Sequence, residues 1–415
     1  MKEDRRNFIK RAGVSLAAAS IGGIGSAIAA TGSPAPKKDL NGNDFVDLEK
    51  ALVSKKNLSG NALQELAIRS NIRIAVQAPV DANDNQMNFY RQMGVAHVIL
   101  SPDETKAGAD YYAERKKYFA DDTLQVYGIN NISLLNDEKI VLNLPGRDER
   151  IEQYKQHLIA LGKAGITYTT YAHSSNGVWS SANATTRADA VSRSLDLNGE
   201  NSGQWGDKKY TGPLSNGREY TAKEIWDNFE YFIKAVAPVA EENHVRIGIL
   251  PDDPPVPKLA GVPRIFSSFD GYKHALELAN SLNVGVCLSI GAWAEGGNKL
   301  GKDILGMIDY FGQQKKLFKV RISNIDQPLP HFENTFVDNG YIDIYKVITA
   351  LKKVNFDGVV IAENIPQMVS NAGGRNANGA YDPSLAWTIG YIKCLRDRVE
   401  EESAIQPEII KKKIK

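Results

Sequence analysis

Eight short runs rich in β-branched and aliphatic residues recur along the chain from residue 72, and between them lie stretches with the three- and four-residue apolar spacing of helices. This alternation limits the fold more than any other feature. The runs are Ile72–Gln77, His97–Leu100, Leu124–Ile129, Ile166–Tyr171, Val245–Leu250, Val284–Ser289, Phe318–Ile322 and Gly358–Ala362. Strands separated by helices form a parallel sheet, and eight such units close most economically into an α/β (β/α)8 TIM barrel. A doubly wound open sheet would need a glycine-rich phosphate loop after an early strand, and neither G-x-G-x-x-G nor G-x-x-x-x-G-K-[ST] occurs. With 415 residues, 42% of them hydrophobic, the chain can bury one large core.

The segment from Asn228 to Ile265, NFEYFIKAVAPVAEENHVRIGILPDDPPVPKLAGVPRI, carries a whole unit of this pattern. Phe229, Phe232, Ile233, Val236, Val239 and Ala240 make one apolar helix stripe, and Val245–Leu250 suits a strand buried on both faces. The chain then breaks out at Pro251 into Asp252 and Asp253, with Pro254, Pro255 and Pro257 holding the loop extended. Two carboxylates at the C-terminal end of a barrel strand suit a polar ligand; pairing with Arg264 or capping of the next element explains them equally well.

In a barrel the strands' C-terminal ends make the site. Here they carry Gln77, Ser101, Asn130, Tyr171 with His173, Asp252 with Asp253, Ser289, Arg321 with Asn324, and Glu363 with Asn364. So polar a ring suits a sugar or sugar acid, whose hydroxyls need hydrogen bonds and whose carboxylate needs a cation. Arg321, with its planar fork of donors, is the natural carboxylate partner, and Glu363 and His173 are the natural proton-transfer groups. His97, His157, His244 and His274 fall at strand starts or on helix surfaces and receive no role. The stretch from Ser174 to Thr221, with Trp179 and Trp205, is too long for an ordinary connection and reads as a lid or wall over the mouth; its polar, glycine-rich composition also allows a disordered insertion.

A net charge of +1, without a basic run interleaved with aromatics, argues against a nucleic-acid partner. Two cysteines, Cys287 and Cys394, make neither a disulfide framework nor a cysteine zinc site. Residues 1–30 read as a twin-arginine signal peptide: Arg5-Arg6-Asn7-Phe8-Ile9-Lys10 precedes an Ala/Gly-rich apolar stretch ending at Ala27-Ile28-Ala29. An exported, periplasmic protein that meets the twin-arginine machinery and keeps no stable membrane insertion after cleavage is the expectation. Residues 31–70 read as a linker and a short helix, 71–400 as the barrel, and 401–415 as a charged, frayed tail.

The Asn228–Ile265 segment resembles the signature region of the mannonate dehydratases, whose helix ends in PVAEE and whose next strand runs into HPDDPP and then GLPRI. GVCLSIG at 285–291 is similar to that family's strand ending in Cys-x-Gly, FKVRISN at 318–324 to its F-x-V-H-x-R-N strand, and NGYIDIYKV at 339–347 to its N-G-D-x-D-M-Y element. Tyr171 and Trp179 sit where the family has a Tyr and a Trp, and the likeness runs from about residue 72 to 400. It implies a xylose isomerase-like barrel that dehydrates D-mannonate to 2-dehydro-3-deoxy-D-gluconate with a divalent metal, usually Mn²⁺. At the positions of the family's His, Cys, His and Asp ligands this chain has Leu250, Ser289, Arg321 and Glu363. Neither an aliphatic chain nor a guanidinium donates to a metal, so the expectation is a lost metal site and no cofactor, with Arg321 taking over part of the ion's electrostatic role opposite Glu363; an ordinary ion pair between the two across the emptied pocket is the alternative. Asp252, Asp253, Arg264, Tyr171, Trp179, Asn324, Asn364 and Ser289 are then the expected substrate contacts, and Glu363, Arg321 and His173 the catalytic groups. Three functions fit: a sugar-acid lyase working without the metal, a non-catalytic binder of a sugar acid or oligosaccharide, and a glycoside-active enzyme using a carboxylate pair such as Asp252 or Asp253 with Glu363.

Overall fold

The computed structural model describes residues 70–102, 106–368 and 382–413. Eight strands run parallel: β1 Arg73–Ala78, β2 His97–Leu100, β3 Gln125–Ile129, β4 Tyr168–Tyr171, β5 Arg246–Ile249, β6 Val284–Ser289, β7 Leu317–Ile322 and β8 Val359–Ala362. Their order, β3-β2-β1-β8-β7-β6-β5-β4, is that of a barrel opened between β3 and β4. Each lies within two residues of its expected position. At the seam, side-chain and loop bonds replace the ladder: Asn130 Oδ1 accepts from Thr170 N at 3.1 Å, and Leu135 O accepts from Ala172 N at 2.8 Å. Asn130, expected at the site, instead closes the barrel.

The helices α1 Asp84–Gln92, α2 Ala109–Asp121, α3 Arg147–Lys163, α4 Ala222–Glu242, α5 Phe269–Ala279, α6 Ile304–Gln313, α7 Ile344–Lys353 and α8 Pro383–Lys413 belong to the connections of this barrel. The start of α4 is set by a capping box in which Thr221 accepts from Glu224 N and the Glu224 side chain returns to the Thr221 backbone. Its apolar stripe is buried, and Phe232 stacks on Tyr171 of β4 at 4.4 Å between ring centroids. Burying such a ring contributes about 1.5–3 kcal/mol.

Inside the barrel Tyr168 fills the space between β3 and β5. A methyl at Gly128 would lie 2.7 Å from the Tyr168 carbonyl oxygen, and one at Gly248 would lie 2.5 Å from its hydroxyl, so both neighbours are glycine for want of room.

The 174–221 stretch is folded. Val178–Ser180, Ser202–Trp205 and Lys208–Tyr210 form a three-stranded antiparallel sheet, Ala184–Thr186 pairs with Ala190–Ser192, and Ser194–Asp196 pairs with His331–Thr335 from the excursion after β7. Trp205 packs against Leu135, Ala172, Leu250 and Cys287, at the C-terminal end of the barrel.

The signal expected over residues 1–30 and the linker and helix expected over 31–70 lie, Ser70 apart, outside the described residues. Over the expected charged tail, 401–415, the backbone of α8 continues to Lys413. No helix among the described residues is long and apolar enough to cross a membrane.

Candidate active site

Strand parity decides which side chains reach the mouth, because successive residues face opposite sides of the sheet. On β7 the inward positions are Lys319 and Arg321, in register with Cys287 and Ser289 on β6 and with Val359 and Ile361 on β8; Glu363 continues the β8 series. Arg321 ion-pairs with Glu363 through Nη2. Ser289 Oγ donates to the second Glu363 oxygen at 2.9 Å and accepts from Ala292 N at 3.3 Å, so capping the short helix Ile290–Gly296 also orients the hydroxyl. Arg321 Nε is buried with no hydrogen-bond partner among the described residues.

One layer deeper lies Lys319, 2% exposed. Burial lowers its pKa to about 8; the Arg321 charge adds to this, while Cys287 and Glu363 oppose it. Burial likewise raises the Cys287 thiol.

A second cluster faces this one from the insertion. Arg193 pairs with Asp253 and, through Nη1, with Glu295 Oε1 at 3.0 Å. Its Nη2 also donates to Trp179 O at 2.7 Å and its Nε to Ser180 Oγ at 2.9 Å. Glu295 is fully buried, its Oε2 has no partner among the described residues, and burial followed by the neighbouring Asp253 raises its pKa well above the carboxylate range. Asp253 and Glu363 are each felt electrostatically by Glu295 and by Arg321, which links the two clusters.

Several expected site residues do other work. Tyr171 and His173 are corrected: they have the outward parity of Thr169, while Thr170 and Ala172 have the inward one. Tyr171 packs on Tyr154 and Phe232, its hydroxyl meets His173 Nδ1 at 2.7 Å, and His173 lies between Phe229 and Phe266. Burial holds His173 neutral, with its pKa lowered to about 3. His173 is therefore walled off from Arg321 and Glu363. Asp252 accepts from Phe266 N at 2.8 Å and from Ser174 Oγ, and Arg264 donates to Asn176 Oδ1 and Gly177 O, each at 2.8 Å. Both are buried ties between the DDPP loop and the insertion, which corrects their expected role as substrate contacts. Asn324 is corrected likewise: it spends its amide on Val337 O, Ile342 O and the backbone N–H groups of Ile325 and Ile342, clamping the excursion after β7. Trp179 is buried; its backbone N–H donates to Asp253 O at 3.2 Å, while its indole Nε1 has no hydrogen-bond partner among the described residues. Asn364 follows Glu363 with left-handed backbone, φ +45°. Of the expected set, the structure brings together Ser289, Arg321, Glu363 and Asp253. Gln77 and Ser101 meet each other at 3.1 Å on the rim.

Lys319, Arg193 and Glu295 are the charged groups of this region that motif reasoning misses. Lys319 has a legible signal, a lysine inside the apolar run LFKVRI in phase with Arg321. Arg193 and Glu295 have none, since only folding of the insertion makes them neighbours. Among the described residues no group of three or more His, Cys, Asp or Glu is arranged to hold a metal ion.

Comparison with known proteins gives this geometry a context. The solved mannonate dehydratase from Streptococcus suis serotype 2 superposes with a TM-score of 0.69 at 21% identity, covering 80% of this chain and 96% of that one. A xylose isomerase domain protein from Planctomyces limnophilus shares the fold at a TM-score of 0.52 and 10% identity, over 80% of this chain and 99% of that one. In sequence, the mannonate dehydratase of Oceanobacillus iheyensis is 28% identical over 291 residues, 65% of this chain and 80% of that protein. A family model described as D-mannonate dehydratase (UxuA) matches residues 86–406, a span that includes every charged group of the two clusters. By that match the chain belongs to the mannonate dehydratase family.

Proposed function

We propose that the protein is a hydro-lyase acting on a sugar acid, with the conversion of D-mannonate to 2-dehydro-3-deoxy-D-gluconate as the reaction to test first, and that it works without a divalent ion. The reading is carried by Arg321 Nε, which lacks a hydrogen bond beside the Ser289–Glu363 pair although the guanidinium is ion-paired through Nη2: an unused guanidinium N–H suits an incoming carboxylate. The four positions where the family resemblance expects metal ligands do not fit an ion. Leu250 has no donor atom, Arg321 brings a fixed positive charge, and Glu363, already paired with it, would be the one charged ligand.

In this reading the substrate carboxylate lies on the open side of Arg321. The guanidinium then faces the negative charge that develops as the proton next to the carboxylate leaves. Glu363, oriented by Ser289, takes that proton, and Glu295, kept protonated by burial, supplies one to the departing hydroxyl. Export to the periplasm, supported by Arg5-Arg6 and the apolar stretch behind them, belongs to the same proposal.

The test uses the chain from residue 31, stripped with EDTA, with D-mannonate and with or without added Mn²⁺, following the 2-keto-3-deoxy product. Turnover that added Mn²⁺ leaves unchanged is expected. Turnover only with Mn²⁺ would remove the metal-free reading, and binding without turnover in either condition would favour a non-catalytic barrel.

A further inference from the structure

We propose that Lys319 is a nucleophilic amine that captures the carbonyl carbon of a 2-oxo acid as an imine, with the carboxylate of the same molecule held by Arg321. The proposal shares with the functional reading only the use of Arg321 as a carboxylate site; it does not need the dehydration to occur.

Three observations carry it. First, the side chain of Lys319 has the inward parity of β7, between Cys287 on β6 and Val359 on β8, and it feels Cys287, Arg321 and Glu363 electrostatically without an ion pair within 4.0 Å among the described residues. A buried lysine normally has a partner, because desolvating an unpaired ammonium is expensive. Second, Arg321 stands two residues further along the same face. Two residues of strand rise span roughly 6.6 Å, about the reach of an extended lysine, so the amine can arrive at the level of the guanidinium. Third, Arg321 Nε lacks a partner, and burial together with the adjacent fixed positive charge of Arg321 raises the share of neutral, nucleophilic lysine amine, against the opposing pull of Glu363 and Cys287. The lowering of the Lys319 pKa to about 8 agrees with that environment. A 2-oxo acid matches the pair, since its carbonyl carbon is bonded directly to its carboxylate.

The step balances. The lone pair of neutral Lys319 Nζ forms a bond to the carbonyl carbon, and the C=O π pair moves onto oxygen. The resulting hydroxyl leaves as water, taking both protons of the amine in two transfers, and a C=N bond remains. Borohydride then reduces this bond, delivering hydride to carbon while solvent supplies the proton on nitrogen.

The experiment incubates the mature chain with pyruvate, and separately with 2-dehydro-3-deoxy-D-gluconate, adds sodium borohydride, and reads intact mass followed by peptide mapping. The expected result is one adduct per chain on the peptide containing Lys319, its loss in Lys319→Met, and at least a tenfold lower yield when acetone, which lacks the carboxylate, replaces pyruvate. No adduct, or an adduct mapped to other lysines, overturns the proposal. Mapping on the unaltered protein settles the site even where Lys319→Met folds poorly. The D-mannonate assay on the same preparation separates the two readings: trapping without turnover removes the hydro-lyase and keeps the lysine, and turnover without trapping does the reverse.

Discussion

Lys319 shows how one buried side chain couples chemistry to stability. Its pKa is lowered in the fold to about 8, whereas the unfolded chain keeps the ordinary value near 10.5. Between these values the unfolded state binds more protons than the folded state, so the stability contributed by this position rises with pH. Below pH 8 both states are protonated and the full cost of the buried charge is present. The stability of the unaltered protein relative to Lys319→Met is therefore expected to rise from pH 8 to 10.5, by on the order of 3 kcal/mol at most. Chemical denaturation of both proteins across that range checks it, and a flat difference would mean that the lysine titrates normally. The same residue marks a limit of motif reading. Tyr171 and His173 have the right chemistry for a sugar site, but β4 turns that parity toward α3 and α4, and a slip of one residue exchanges the two faces of a strand.

At the scale of elements, the insertion is held to the barrel by charge as well as by packing. Arg193 joins the insertion's strands to the DDPP loop through Asp253 and to the helix after β6 through Glu295. Removing Arg193 leaves the largely buried Asp253 carboxylate uncompensated, at a cost of roughly 3–5 kcal/mol. Arg193→Met is expected to lower stability by that amount and to increase proteolysis within residues 174–221 in particular. A loss below about 1 kcal/mol in denaturant titration would mean that the pairs are solvated and that the insertion stands on its own sheet. Asn324 and Asn130 work in the same way without charge, each spending a buried amide on backbone groups that no regular ladder satisfies.

For the whole molecule, three histidines are buried in neutral form: His97 and His157, each lowered to about 4, and His173, lowered to about 3, all mainly by burial. Their folded values lie below the unfolded value of about 6.5, so the unfolded chain takes up protons first as pH falls, and stability is lost from pH 6.5 downward toward 3. At pH 5 each is expected to cost roughly 2 kcal/mol relative to pH 7. Thermal melts at pH 7 and pH 5 check this, with His157→Gln expected to flatten the dependence. Tyr112 meets His157 Nδ1 at 2.9 Å and Thr169 meets Nε2 at 3.3 Å, which a glutamine can replace in part.

The sequence by itself determined the barrel, because the alternation of apolar runs with amphipathic helices is local and each strand and helix is specified by residues close to one another. It also marked Ser289, Arg321, Glu363 and Asp253, since each ends a strand or opens the loop behind it, and a barrel presents its strand ends to one face. Only the tertiary structure decided the rest. Whether a strand-end residue faces the mouth or the helix layer depends on parity, which is why His173 and Tyr171 left the site and Lys319 entered it. Whether a polar loop residue meets a ligand or satisfies backbone depends on where the chain returns, which is why Asp252, Arg264 and Asn324 became ties and Arg193 and Glu295 became neighbours of Asp253. Contacts of that kind join residues tens to more than a hundred positions apart, and no local pattern encodes them.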